Sequence, residues 1–134
     1  MGAAAIDYRA LAEFRYQLRR FLHFSEEASR AAGIEPRQHQ LLLALKGLPS
    51  GEKPTVSELA ERLQIKHHSA VELIDRLAER GFAHRHRDDT DRRKVLIEIT
   101  PAGERVLRNL SVQHRAELQT AGPALLAALE SLLK

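Results

Sequence analysis

The stretch DDTDRRKVLIEIT, residues 88–100, sets three aspartates and the cations Arg92, Arg93 and Lys94 directly ahead of alternating apolar residues. Asp91 can hydrogen-bond the guanidinium of Arg93 or cap the turn between them. Asp88 and Asp89 favour a turn by bonding nearby backbone. Histidine offers a second chemistry. His84 and His86, at i and i+2 of an alternating segment, share one face and could supply two metal ligands, with His67 and His68 nearby in sequence. A metal there would still need carboxylates or a partner-chain histidine. The chain has no cysteine, which removes disulfides, thiolate sites and thiol nucleophiles. No bound metal and no cofactor are therefore expected. Nor is an enzyme, because the sequence holds no glycine-rich phosphate loop, no paired carboxylates at an apolar site and no nucleophile beside a recognisable base.

These residues sit in a chain of 134 residues, 43% hydrophobic, the length and composition of one domain with a real core. The formal charge of +3 leans towards an anionic partner, yet it is spread evenly. Residues 1–52 hold 7 Lys/Arg against 6 Asp/Glu, residues 53–99 hold 10 against 9, and residues 100–134 hold 4 against 3. Local placement must therefore carry any case for nucleic acid. Asp7 interrupts the N-terminal MGAAAIDY before an apolar core can form, and no run approaches 18 apolar residues. A soluble, cytoplasmic protein without a membrane partner is expected.

The elements follow from period and punctuation. Leu11, Phe14, Leu18, Phe21 and Leu22 form one stripe of a long helix over 6–31 that ends near Gly33. RQHQLLLALKG reads as a second helix, apolar nearly all round, stopping at Gly47. Thr55 and Glu58 suggest a capping box opening a short third helix. HHSAVELIDRLAERG gives a fourth, with Ala70, Val71, Ile74, Leu77 and Ala78 on one face and Gly81 and Phe82 as a Schellman ending. From Phe82 the period becomes 2, so FAHRHR and KVLIEIT form a hairpin with DDTDRR at its tip. Thr100 and Pro101 begin a fifth helix that runs towards Gly122 and Pro123, and ALLAALESLLK forms a final, sixth one. The fold class is mainly α with a small antiparallel β-wing, in the order of a winged helix-turn-helix.

Residues 56–107 resemble the MarR-type transcriptional regulators, the multiple antibiotic resistance regulator family. The likeness rests on SELA at 57–60, DRL at 75–77, Gly81, the wing residues Asp91, Arg92 and Arg93, and T-P-A-G at 100–103. It implies a winged helix-turn-helix DNA-binding lobe over 55–99, and N- and C-terminal dimerisation helices over 6–33 and 101–134 within a single domain, 1–134. It also implies a homodimer in which the first helix and the last two interlock. The apolar ALLAALESLLK and the stripe on the first helix agree, since one thin helical layer cannot cover them.

Residues 66–80 carry 3 cations and 3 anions, so the presumed recognition helix is neutral and must work through its exposed face. There His68 and Ser69 can donate to bases or phosphates, Arg76 can bind phosphate or guanine, and Glu72 could accept from cytosine. Lys66 and His67 fall at the helix start, where backbone contacts are expected. An ordinary solvated helix face is the alternative. A wing tip entering the narrow minor groove needs a rigidly held cation. The family's D-x-R pattern points to Arg93 for that insertion, braced by Asp91, with Arg85, Arg87, Arg92 and Lys94 on flanking phosphates. His23, His39 and His114 lie on the outer helices, where the family's effector pocket forms, and read as partly buried, satisfied histidines.

The leading expectation is a sequence-specific, DNA-binding transcriptional regulator: a homodimeric repressor that reads double-stranded DNA at a pseudo-palindromic operator and is relieved by a small-molecule effector. The alternatives are a winged-helix protein–protein interaction module without specific DNA binding, and a metal-responsive regulator. The effector-binding residues, operator and regulated genes are not readable from the sequence.

Overall fold

The computed structural model describes residues 5–134; residues 1–4, the start of the expected domain, lie outside the described residues. The element order is α1 (Tyr8–Ala31), α2 (Pro36–Lys46), α3 (Val56–Leu63), α4 (His67–Glu79), β1 (Ala83–Arg87), β2 (Val95–Ile99) and α5 (Pro101–Leu133). Among the described residues no helix is long and apolar enough to cross a membrane.

The core is built around α2, whose Leu41 and Leu42 are fully buried and whose neighbours are α1, α3, α4, β2 and α5. Leu59 of α3, Ile74 and Leu77 of α4, Ile97 of β2 and Leu110 of α5 complete it. On α4 the buried residues are Ala70, Leu73, Ile74 and Leu77, while Val71 and Ala78 are half-buried. α1 lies along α5, and its expected stripe is half-buried at Phe14, Leu18 and Phe21 but open at Leu11 and Leu22, which are 45% and 47% exposed.

Helix ends follow the local chemistry. Asp7 and Thr100 cap α1 and α5 through their side chains. α4 closes as a Schellman turn, with Gly81 at φ 75° and the Phe82 N–H donating to the Leu77 carbonyl at 3.0 Å. At α3 only half of the expected capping box forms. Thr55 Oγ1 accepts from the Glu58 N–H at 3.2 Å, but the Glu58 carboxylate takes Arg62 Nε at 3.0 Å and the Thr55 N–H goes to the Lys53 carbonyl.

The larger correction concerns the C-terminus. The fifth and sixth helices are one, 33 residues long, with Pro123 inside it. Proline removes one helical N–H and costs about 3 kcal/mol in a helix interior. The Ala-, Leu- and Glu-rich flanks at 116–121 and 124–133 are strong helix formers, and they carry the helix across the defect.

β1 and β2 pair antiparallel with His84 opposite Glu98 and Arg85 opposite Ile97. The sheet gains a third edge that the alternation did not reveal, because Thr55 bridges Leu96 and the Ile97 N–H donates to the Pro54 carbonyl at 2.9 Å.

Candidate nucleic-acid interface

The tight turn between α3 and α4 sets the angle of the second helix. Gln64 holds it in the left-handed region, φ 54° and ψ 47°, and the Ile65 N–H returns to the Ala60 carbonyl. Lys66 then stands at the N-cap of α4 without a side-chain cap, so first-turn N–H groups remain available to solvent or an anion. Lys66, His67, His68, Glu72 and Arg76 are exposed and Ser69 is half-buried, which places all six on or beside one open face.

At the wing, both chemistries open to Asp91 occur together. Its Oδ1 accepts from the Arg93 backbone N–H and from Arg93 Nε, each at 3.1 Å, so one carboxylate both closes the turn and holds the guanidinium. The Arg93 side chain remains 92% exposed, while that of Asp91 is 30% exposed. The Arg93 bonds keep the Asp91 carboxyl below the usual carboxylate range. Arg92 and Lys94 flank it in the open.

Asp88 is not a merely solvated turn residue. It is buried, it pairs with Lys53 from the α2–α3 loop, and its Oδ1 accepts from the Thr90 N–H and hydroxyl at 3.1 and 3.0 Å. The hydrogen bond from Lys53, then that from the Thr90 backbone, holds its carboxyl down at about 2. This clasp ties the base of the wing tip to the segment that forms the sheet's third edge. A lysine 35 residues away in sequence gave no local signal of it.

Two expected phosphate contacts are otherwise engaged. Arg85 pairs with Asp75 of α4, and Arg87 donates to the Arg92 carbonyl at 2.8 Å. Both fix the wing in this structure, Arg85 against α4 and Arg87 within the tip. The opposite face of the hairpin carries His84 and His86, whose Nε2 atoms lie 3.8 and 3.4 Å from Glu98 Oε2. Among the described residues no group of three or more His, Asp or Glu side chains is gathered to hold a metal ion.

A second feature lies between the long helices and the winged unit. His39 of α2 is 2% exposed, and its ring centroid is 4.9 Å from that of His114 on α5. Phe21 and Phe24 of α1 meet the His114 ring edge-on. Both histidines border a cavity of about 510 Å³ whose apolar walls include Phe21, Leu22, Leu43 and Leu118. His23, by contrast, is exposed and pairs with Glu27 at 3.0 Å. Burial first, and the neighbouring His114 second, push the His39 imidazole down to about 4.

Comparison with known proteins finds a family likeness over the winged unit. Residues 32–94 match the MarR family model. The chain is 36% identical over 75 residues to YhbI, an uncharacterised HTH-type transcriptional regulator of Bacillus subtilis, covering 56% of this chain and 48% of that protein. It thus spans about half the length of the curated relatives it matches. Among solved structures, a mutant of Staphylococcus aureus MepR bound to an oligodeoxyribonucleotide matches with a TM-score of 0.69 at 19% identity, covering 96% of this chain and 97% of that one. CouR from Rhodococcus jostii RHA1, bound to p-coumaroyl-CoA, matches with a TM-score of 0.66 at 23% identity, covering 84% and 83%. Identities this low carry the fold alone. With the family model lying on the helix-turn-helix and most of the wing, and the fold shared from α1 to α5, the chain resembles MarR-family proteins in its winged unit and has their fold.

Proposed function

We propose that the protein is a DNA-binding transcriptional regulator, a homodimeric repressor that reads a pseudo-palindromic operator and is relieved by a small-molecule effector. The observation that carries this reading is Arg93, an exposed guanidinium held by Asp91 at the wing tip of the lobe whose α4 presents an open polar face. A minor groove concentrates negative potential and rewards a cation that arrives already oriented. On this reading α4 enters the major groove through His68 and Ser69, Arg76 and Glu72 follow along the helix, and Lys66, His67, Arg92 and Lys94 grip phosphates. Arg85 and Arg87 contribute by fixing the wing and reach phosphates by exchanging their present partners. The MepR mutant that shares the fold was solved on an oligodeoxyribonucleotide, which supports DNA as the partner.

Pairing rests on leftover apolar surface. Tyr8, Leu11 and Leu22 of α1, and Leu126, Leu129 and Leu133 of α5, are exposed on the two helices outside the lobe. A twofold dimer through them sets two recognition helices about one DNA turn apart, roughly 34–36 Å. The cavity bordered by α1, α2 and α5 lies where an occupant would change how the lobes sit on those helices, and so their spacing. CouR, of the same fold, holds a small molecule, which supports an effector of that kind.

Selection of bound sequences from random duplexes by the purified protein tests binding, symmetry and half-site spacing at once. Enrichment of an inverted repeat supports the reading. No enrichment, and no duplex binding even at low salt, favours a protein interaction module in its place.

A further inference from the structure

A carboxylate is poorly suited to a surface that meets phosphates, yet the outer side of α4 carries three. At about 3.6 residues per turn, His68, Glu72, Asp75 and Glu79 stand opposite the buried Ala70, Ile74 and Leu77. The three acids differ in what they meet. Asp75 is neutralised by Arg85 of β1. Glu79 is the last residue of the helix, two turns beyond Glu72 and farthest from the end that docks, and it borders the groove between α2 and α4 beside Arg76 and Arg80. Glu72 is exposed at mid-helix, one turn after His68, and enters no side-chain hydrogen bond or ion pair among the described residues. Spacing is not the reason. Glu58 and Arg62 on α3 stand at the same interval of four and pair at 3.0 Å, whereas Arg76, four residues after Glu72, lines the groove with Glu35 and Glu79.

An unpartnered carboxylate at this place has two consequences in a major groove. It repels the phosphates on either side, which lowers affinity for every duplex alike. It is also acceptor-only, so it recovers that loss only where the floor of the groove offers a donor. Two bases do. Adenine sets its N6 amine beside the N7 acceptor, so the second carboxylate oxygen faces a lone pair, while cytosine sets its N4 amine beside a C5–H. Guanine presents O6 and N7, and thymine O4 and a methyl group, none of which donates. Cytosine therefore ranks first, adenine second, and guanine and thymine last.

We propose that Glu72 is a specificity-determining residue that selects a cytosine at one position of each half-site, and that it does so by penalising every duplex that lacks one there. This rests on reading the protein as a DNA-binding dimer, and it adds the base that α4 requires. The balance of 3 cations against 3 anions over residues 66–80 is then part of the discrimination. A helix that gains little from charge holds only where its polar groups are matched by base edges, so affinity for random sequence is given up for a larger ratio between right and wrong sites.

The test is selection from random duplexes by the natural full chain and by Glu72→Gln in parallel. The natural chain should enrich cytosine at one pair of mirror-related positions. Glutamine both donates to N7 and accepts from N6, so the variant should turn that preference to adenine and leave the rest of the repeat in place. Fluorescence anisotropy with random-sequence duplex should show Glu72→Gln binding about three- to tenfold tighter, since one like charge has left the phosphates' side. A measurement on the natural chain alone covers the case in which the variant fails to fold. Among duplexes that differ only at the selected pair, the one with cytosine should bind about tenfold tighter than those with thymine or guanine, with adenine between. An inverted repeat with the same base profile in both chains, a preference of the natural chain for guanine or thymine where Glu72→Gln alters the profile, or equal affinity of the two chains for random duplex would each overturn the proposal and leave the DNA-binding reading standing. No enrichment by either chain overturns both.

Discussion

At the scale of single residues, the wing tip offers a test in which charge and geometry predict opposite signs. Arg93→Ala should weaken operator affinity about tenfold and lower the salt slope by about one, as the loss of one DNA-contacting cation does. Its melting temperature should not move, because a side chain 92% exposed contributes little to folding. Asp91→Ala removes a negative charge from the proposed DNA face, so charge alone predicts tighter binding. If holding Arg93 in place is what matters, binding weakens instead, and fluorescence anisotropy with a labelled duplex reads the sign. Asp88 belongs to the same tip but titrates separately. Its folded-state value of about 2 lies below the usual 3.8, so its stabilising bonds to Lys53 and Thr90 are fully present above about pH 4 and are lost as pH falls towards 2. Amide exchange should show residues 88–94 opening over that window, and Asp88→Asn should open them at neutral pH.

At the scale of elements, two backbone positions carry opposite predictions. A β-carbon on Gly103 would lie 2.2 Å from the Phe82 carbonyl oxygen and 2.9 Å from Ile99 Cγ1, where the first turn of α5 crosses the base of the wing. Thr100 anchors the same crossing by donating its N–H to Phe82 and its hydroxyl to Gly81. Gly103→Ala must push backbone apart, and should cost about 2–3 kcal/mol in urea denaturation, towards the upper end of overpacking changes. Gln64 is the reverse case, a non-glycine residue at positive φ. Gln64→Gly relieves that conformation and should stabilise by about 0.5–1 kcal/mol after the greater freedom of the unfolded chain is set against it. The same positions show what the sequence made legible. Gly81, the Thr100–Pro101 start and the period change at Phe82 are local signals, and they gave α4, the hairpin and the start of α5 nearly residue by residue. Pro123 misled because a local breaker was read without weighing the helix formers on both sides. Lys53–Asp88, Arg85–Asp75 and His39–His114 were not legible, because each joins residues from different elements whose meeting depends on tertiary packing rather than on spacing.

At the scale of the whole molecule, the exposed leucines of α1 and α5 and the histidines beneath them bear on stability in different ways. If the apolar faces pair, unfolding is coupled to dissociation, so the melting temperature rises with protein concentration. Leu126→Glu with Leu129→Glu should abolish that dependence and halve the mass seen by sedimentation; an unchanged mass would remove the proposed interface. The buried His39 sets a second dependence, on pH. Its folded-state value, about 4, lies below the 6.5 of an unburied imidazole, chiefly through burial and then through His114. Above pH 6.5 both folded and unfolded chains hold it neutral, and it contributes no slope. As pH falls below 6.5 the unfolded chain gains a proton that the folded one refuses, so stability declines until about pH 4 and then levels. The gap between 6.5 and about 4 corresponds to a loss of up to about 3 kcal/mol. Asp88 begins to contribute only near the bottom of this window, so the two effects separate. Urea denaturation at pH 7.5, 5.5 and 4.5 should show the decline in the natural chain and a flatter profile in His39→Asn, which has no proton to gain. Parallel profiles in the two would mean that the imidazole charges freely in place.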